Sequence, residues 1–125
     1  MKVMLRQATL ALCATLMLAG NTLALESVKF MIGANPGGGY DQAARGLGKA
    51  MLEGGTAKGT QFENKGGAGG TIGLAQFVSA SKGEGNALIV TGAVMMGAIV
   101  QNKPPVTLAQ ATPIGRLPGN ANGNA

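Results

Sequence analysis

The sequence predicts an α/β fold, a βαβαβ unit built on a parallel sheet, and three observations predict it. Short apolar runs alternate with segments of helical periodicity. The alternation recurs about every 30 residues, the spacing that parallel strands joined by right-handed crossovers need. The glycines, 22 among 125 residues, gather where an apolar run hands over to a periodic segment.

Residues 28–34 read as the first strand, and residues 41–52 as a helix whose apolar positions Ala44, Leu47 and Met51 lie three and four apart. Thr60–Asn64 is a short second strand. Thr71–Ala80 is a second helix carrying Ile72, Ala75, Phe77 and Val78. Residues 87–91 read as a buried strand. Residues 94–101 form a short apolar helix, with Met95 and Met96 as core packing, stopped by Lys103-Pro104-Pro105. A fourth strand is expected to start near Thr112 and to include Ile114.

The amino-terminal segment is processing signal rather than fold. Lys2 and Arg6 precede an apolar run over residues 8–18, and Thr22-Leu23-Ala24 is a small-residue cleavage site, so residues 1–24 read as a secretory signal. Removing it takes away Cys13, the single cysteine; histidine and tryptophan are absent throughout. Leu12 stands before Cys13 where a lipidation signal has a small residue, which argues against a lipid anchor. Without Cys or His there is no disulfide framework, no thiol nucleophile, no imidazole base and no ordinary zinc site. No catalytic residue, cofactor or metal is expected.

The net charge of +5 falls when Lys2 and Arg6 leave, and the remaining cations are scattered from Lys29 to Arg116 without a block. Nucleic-acid binding would want a basic stripe interleaved with aromatics, and aromatics make up only 3% of the chain. The charge supports only a weak bias toward small anions.

Two glycine clusters carry the functional signal. Gly37, Gly38 and Gly39 follow the first strand, and Gly66, Gly67, Ala68, Gly69 and Gly70 follow the second. Open parallel sheets bind ligands beyond the carboxyl ends of their strands, where helix starts present unpaired N–H groups and a partial positive charge. Two such loops side by side would cradle a carboxylate or phosphate. The spacing disfavours a dinucleotide, since the third glycine position of the fingerprint is Gln42 in one loop and Ile72 in the other. The nucleotide-hydrolase phosphate loop fails as well, because Gly48-Lys49 is followed by Ala50.

Asp41 stands at the start of the first helix, where it can cap the helix, hold the loop or accept a hydrogen bond from a ligand. Arg45, one turn on, is placed to pair with it. Thr71 can cap the second helix or offer its hydroxyl to an anion, and Thr91 has the same two roles at the end of the third strand. Tyr40 either flanks the pocket mouth or covers the helix start.

Together, Val28-Lys29-Phe30-Met31-Ile32, Pro36-Gly37-Gly38-Gly39-Tyr40-Asp41 with Ala44-Arg45, the run from Glu63-Asn64 through Gly73, and Thr112-Pro113-Ile114-Gly115-Arg116-Leu117 resemble the periplasmic solute-binding proteins of tripartite tricarboxylate transporters, the TctC or Bug family. The resemblance implies the first lobe of a two-lobed venus-flytrap protein that captures a small carboxylated metabolite in the periplasm and passes it to membrane permease subunits. It implies main-chain binding by Gly37, Gly38, Gly39, Asp41, Gly67, Ala68, Gly69, Gly70 and Thr71. Thr91 is added from its place at the end of the third strand. The sequence departs from the family's usual pattern at Asn35-Pro36, Tyr40 and Lys65-Gly66. On this reading residues 25–117 are a partial first lobe, the second lobe is missing, and residues 118–125, rich in Gly and Asn, form a disordered or aberrant tail. The alternatives are a truncated chain without activity, or an α/β enzyme acting on an anionic substrate.

Overall fold

A computed structural model describes residues 23–117. Most of the signal segment and the tail 118–125 lie outside the described residues. Strands β1 (Val28–Ile32), β2 (Thr60–Asn64) and β3 (Ala87–Val90) form one parallel sheet in the order β2-β1-β3. Helices α1 (Gly39–Glu53), α2 (Thr71–Ala80) and α3 (Ala93–Asn102) follow the three strands in turn, and short 3₁₀ turns lie at Ala68–Gly70 and Leu108–Gln110. The α/β class and the βαβαβ order are as the periodicity predicts.

The central strand supplies most of the core. Val28, Phe30, Met31 and Ile32 are buried while Lys29 reaches solvent, the pattern of a parallel strand covered on both faces over most of its length. Burying Val28, Phe30 and Ile32 contributes about 1.5–3 kcal/mol each. Phe30 stacks on Phe62 of β2 with ring centroids 5.1 Å apart, and the Arg45 guanidinium sits 4.9 Å above the Phe62 ring. Helix α1 lays Ala44, Leu47 and Met51 toward this cluster. It comes close because position 48 is glycine: a Cβ there would lie 2.7 Å from Phe62 Cζ. Ahead of β1, Leu25 lengthens the β1/β2 side of the sheet, donating to Thr56 O at 2.8 Å and accepting from Lys58 N–H at 2.8 Å.

Four sequence expectations need correction. The first strand ends at Ile32, opposite Asn64 and Val90, and the chain turns at Gly33 rather than running on to Ala34. The third strand is half-buried, not buried, because the crossover from β2 passes over β1 and leaves β3 at the sheet edge. No fourth strand forms at Thr112: residues 112–117 have no ladder partner, and Ile114 is exposed. That segment offers one apolar residue between Pro113, which lacks an N–H, and Gly115. Finally, Met95 is fully buried whereas Met96 is exposed, since neighbours on a helix point about 100° apart and only one can face the sheet. In the same way Leu74, not Ile72, is the buried anchor of α2.

Helix α3 ends on Lys103, whose φ of 43° and ψ of 55° are left-handed. A side chain there costs about 1–2 kcal/mol, partly offset in glycine by a freer unfolded chain. Lys103→Gly is expected to raise stability by about 0.5–1 kcal/mol, seen as a higher urea midpoint at constant m-value. A lowered midpoint would show that the Lys103 side chain makes a stabilising contact.

Candidate functional site

The strand order creates the site. From β1 the chain moves to β2 on one side and then crosses to β3 on the other, so the loops leaving β1 and β3 diverge. Such a reversal opens a crevice beyond the carboxyl ends of the strands. A cavity of about 450 Å³, open to solvent, lies there. Its walls come from three handovers: Gly33, Ala34 and Asn35 after β1 with Gly39 and Tyr40 at the start of α1; Gly66, Gly67, Gly69 and Gly70 after β2; and Val94 at the start of α3.

None of these lining residues carries a formal charge. Attraction for an anion would come from backbone N–H groups and the positive ends of helices. The first internal bond of α1 runs from Gln42 N–H to Gly38 O at 3.0 Å, so the N–H groups of Gly39, Tyr40 and Asp41 precede the helical ladder. Gly37 and Gly38 differ: their N–H groups are used within the loop, on Asp41 Oδ2 at 2.9 Å and Asn35 O at 3.4 Å. Gly70 N–H is likewise donated to Gly67 O at 2.8 Å.

Asp41 organises this region from below. Its carboxylate is buried and accepts three hydrogen bonds: Arg45 Nε at 3.0 Å and Gly37 N–H at 2.9 Å on Oδ2, and Asn64 Nδ2 at 3.0 Å on Oδ1. Asn64 Nδ2 also reaches Ala34 O at 3.2 Å. One carboxylate and one amide therefore tie the end of β2, the loop after β1 and the first turn of α1 together. The Arg45 guanidinium, then the Gly37 N–H and the Asn64 amide, hold the Asp41 carboxyl well below the usual carboxylate range, against the opposing effect of burial. The same contact with Asp41 raises Arg45 above its ordinary value. Asp41 is not the helix cap: Gly38 occupies that position without a side-chain bond, and Asp41 sits in the first turn, reaching back to the loop.

The second glycine cluster serves packing as well as access. Gly70 has a φ of 91°, and a Cβ there would lie 2.6 Å from Gly33 O and 2.8 Å from Met95 Cε. Backbone thus meets backbone where the two loops touch, which is what brings them to one cavity.

Of the residues expected to bind, Gly39, Gly67, Gly69 and Gly70 line the cavity, while Gly37, Gly38 and Ala68 stand beside it in exposed turns. Asp41, Thr71 and Thr91 turn inward: the Thr71 hydroxyl donates to Ala68 O at 3.0 Å and the Thr91 hydroxyl to Met95 Sδ at 2.9 Å. Gly66, read from the sequence as part of the second cradling cluster, lines the cavity too, and the lining residues without a binding expectation are Gly33, Ala34, Asn35 and Val94. Gly33, Ala34 and Asn35 were legible in principle, because Gly33 interrupts the apolar run. Val94 carries no local signal. Tyr40, open between two roles in the sequence, lines the cavity. Among the described residues no group of three His, Cys, Asp or Glu side chains converges, and no helix is long and apolar enough to cross a membrane. Compared with protein-family models, with curated proteins and with solved structures, the chain matches none of them.

Proposed function

We propose that this chain binds the carboxylate of a small organic acid through backbone N–H groups at the carboxyl edge of its sheet. The observation that carries the reading is the uncharged cavity walled by both glycine-rich loops and the first turn of α1. A carboxylate suits such a wall, because it accepts several hydrogen bonds at once and complements the helix dipole. In this proposal the unit is the first lobe of a two-lobed periplasmic solute-binding protein of the tripartite tricarboxylate type. The bound acid is released to membrane permease subunits, and no bond is made or broken. The support for this wider role is the sequence resemblance, with its secretory signal and paired glycine loops.

Isothermal titration of the full chain with citrate, succinate and the neutral analogue succinamide tests the binding. Saturable heat is expected for the acids, with a Kd between about 1 mM and 1 μM, and none for the diamide. Moderate salt should weaken binding only slightly, since among the described residues no charged side chain lines the cavity. Equal binding of the acids and the diamide, or no heat with any carboxylate, removes the reading.

A further inference from the structure

Tyr40 is built into the cavity wall by a contact that explains another residue. Its phenol Oη accepts the Val94 N–H at 3.3 Å, joining the start of α1 to the start of α3 across the crevice. Its ring lies against Gly92, where a Cβ would fall 2.6 Å from Oη, 2.7 Å from Cε1 and 2.9 Å from Cζ. Gly92 has a φ of −167°, extended backbone that any residue adopts. The need for glycine at 92 therefore comes from the Tyr40 ring and not from the backbone. Among the described residues, Tyr40 and Asn35 are the only lining side chains with polar groups, and Tyr40 alone is large.

We propose that Tyr40 is the specificity-determining residue of this cavity: its ring, seated on Gly92, closes the end toward α3 and limits the length of the ligand. The assignment rests on the carboxylate reading for the kind of ligand, but the wall acts on any ligand that enters. A rigid aromatic wall rejects an added methylene by about tenfold or more. The chain also carries its own reporter, because Tyr40 is its single tyrosine and tryptophan is absent. Tyrosine emission of the folded chain therefore reports on this wall alone.

The test uses the full chain and two ligand series, the straight monocarboxylates from acetate to hexanoate and their primary amides, read by Tyr40 emission and by titration calorimetry. In the natural chain, affinity should drop at a defined chain length. Tyr40→Ala, read by calorimetry, should bind the longer acids at least tenfold better than the natural chain does. Gly92→Ala keeps Tyr40 but displaces its ring, and should shift the length limit the same way with unchanged far-UV circular dichroism. Tyr40→Phe keeps the ring and should keep the limit. The same length dependence in all four proteins, or a limit lost in Tyr40→Phe, overturns the assignment of Tyr40 while carboxylate binding stands. A length limit shared by amides and acids of equal affinity leaves Tyr40 in place and removes the carboxylate reading. If neither series gives heat or changes the Tyr40 emission, both fall.

Discussion

Gly70→Ala is expected to destabilise the chain by about 2–6 kcal/mol and to abolish ligand binding, the largest effect of any single methyl group added near the site. Two costs combine. A φ of 91° is open to glycine and strained for alanine by about 1–3 kcal/mol. The new Cβ would also press on Gly33 O from 2.6 Å, where the obstacle is backbone and cannot rotate away, adding about 1–3 kcal/mol. A small domain has little more than that to lose. Partial relief would part the two loops and open the cavity between them. Gly39→Ala is the control: that residue lines the same cavity, has no positive φ, and a Cβ there meets nothing within 4 Å. It should be neutral or stabilising by up to about 1 kcal/mol through helix propensity. Urea denaturation of both variants decides the matter, and equal midpoints would show that the loops yield freely.

Asp41→Asn should lower the melting temperature at neutral pH by about 5–10 °C and weaken ligand binding about tenfold. The substitution keeps the shape, but an amide has one acceptor oxygen where the carboxylate serves three donors on two. Either Asn64 or the pair Gly37 and Arg45 then faces an NH₂ group, and the loop after β1 loses its anchor. The pH dependence follows from the direction of the shift. The folded-state carboxyl is depressed relative to about 3.9 in an unfolded chain. Its contribution is therefore fully present above the unfolded value, and it drains away as pH falls below about 4 and through the folded value. Melting curves of the natural chain should decline over that acid range, and the gap to Asp41→Asn should narrow. Parallel curves from pH 7 down to pH 2 would show that the Asp41 network adds nothing to stability.

These two residues mark how far the sequence could be read. The pairing of Asp41 with Arg45 was legible because the two lie within one helical turn, but the sequence left Asp41 open between capping the helix, holding the loop and meeting a ligand. Its third partner, Asn64, stands 23 positions away and meets it only because β2 pairs with β1 in the register that sets Asn64 beside Ile32. Gly70 was legible as a member of the second glycine cluster, at the edge of the sheet where the cavity lies. Its contact with Gly33 was not, since a glycine used for access and one used for close packing look the same in a chain. Thr71 and Thr91 show the converse: hydroxyls at suitable chain positions that donate instead to Ala68 O and Met95 Sδ.

Periodicity alone determined the alternation of strands and helices, the class of the fold and the edge of the sheet where the loops collect. Those properties depend on neighbours within about a turn or a strand, so local chemistry is enough. Tertiary structure decided which strand is central, that residues 112–117 add no fourth strand, which of Met95 and Met96 is buried, and which glycines face open space. It also seated Tyr40 on Gly92. Each of these turns on distances between segments dozens of residues apart, and only the pairing of β1 with both β2 and β3 brings those segments together.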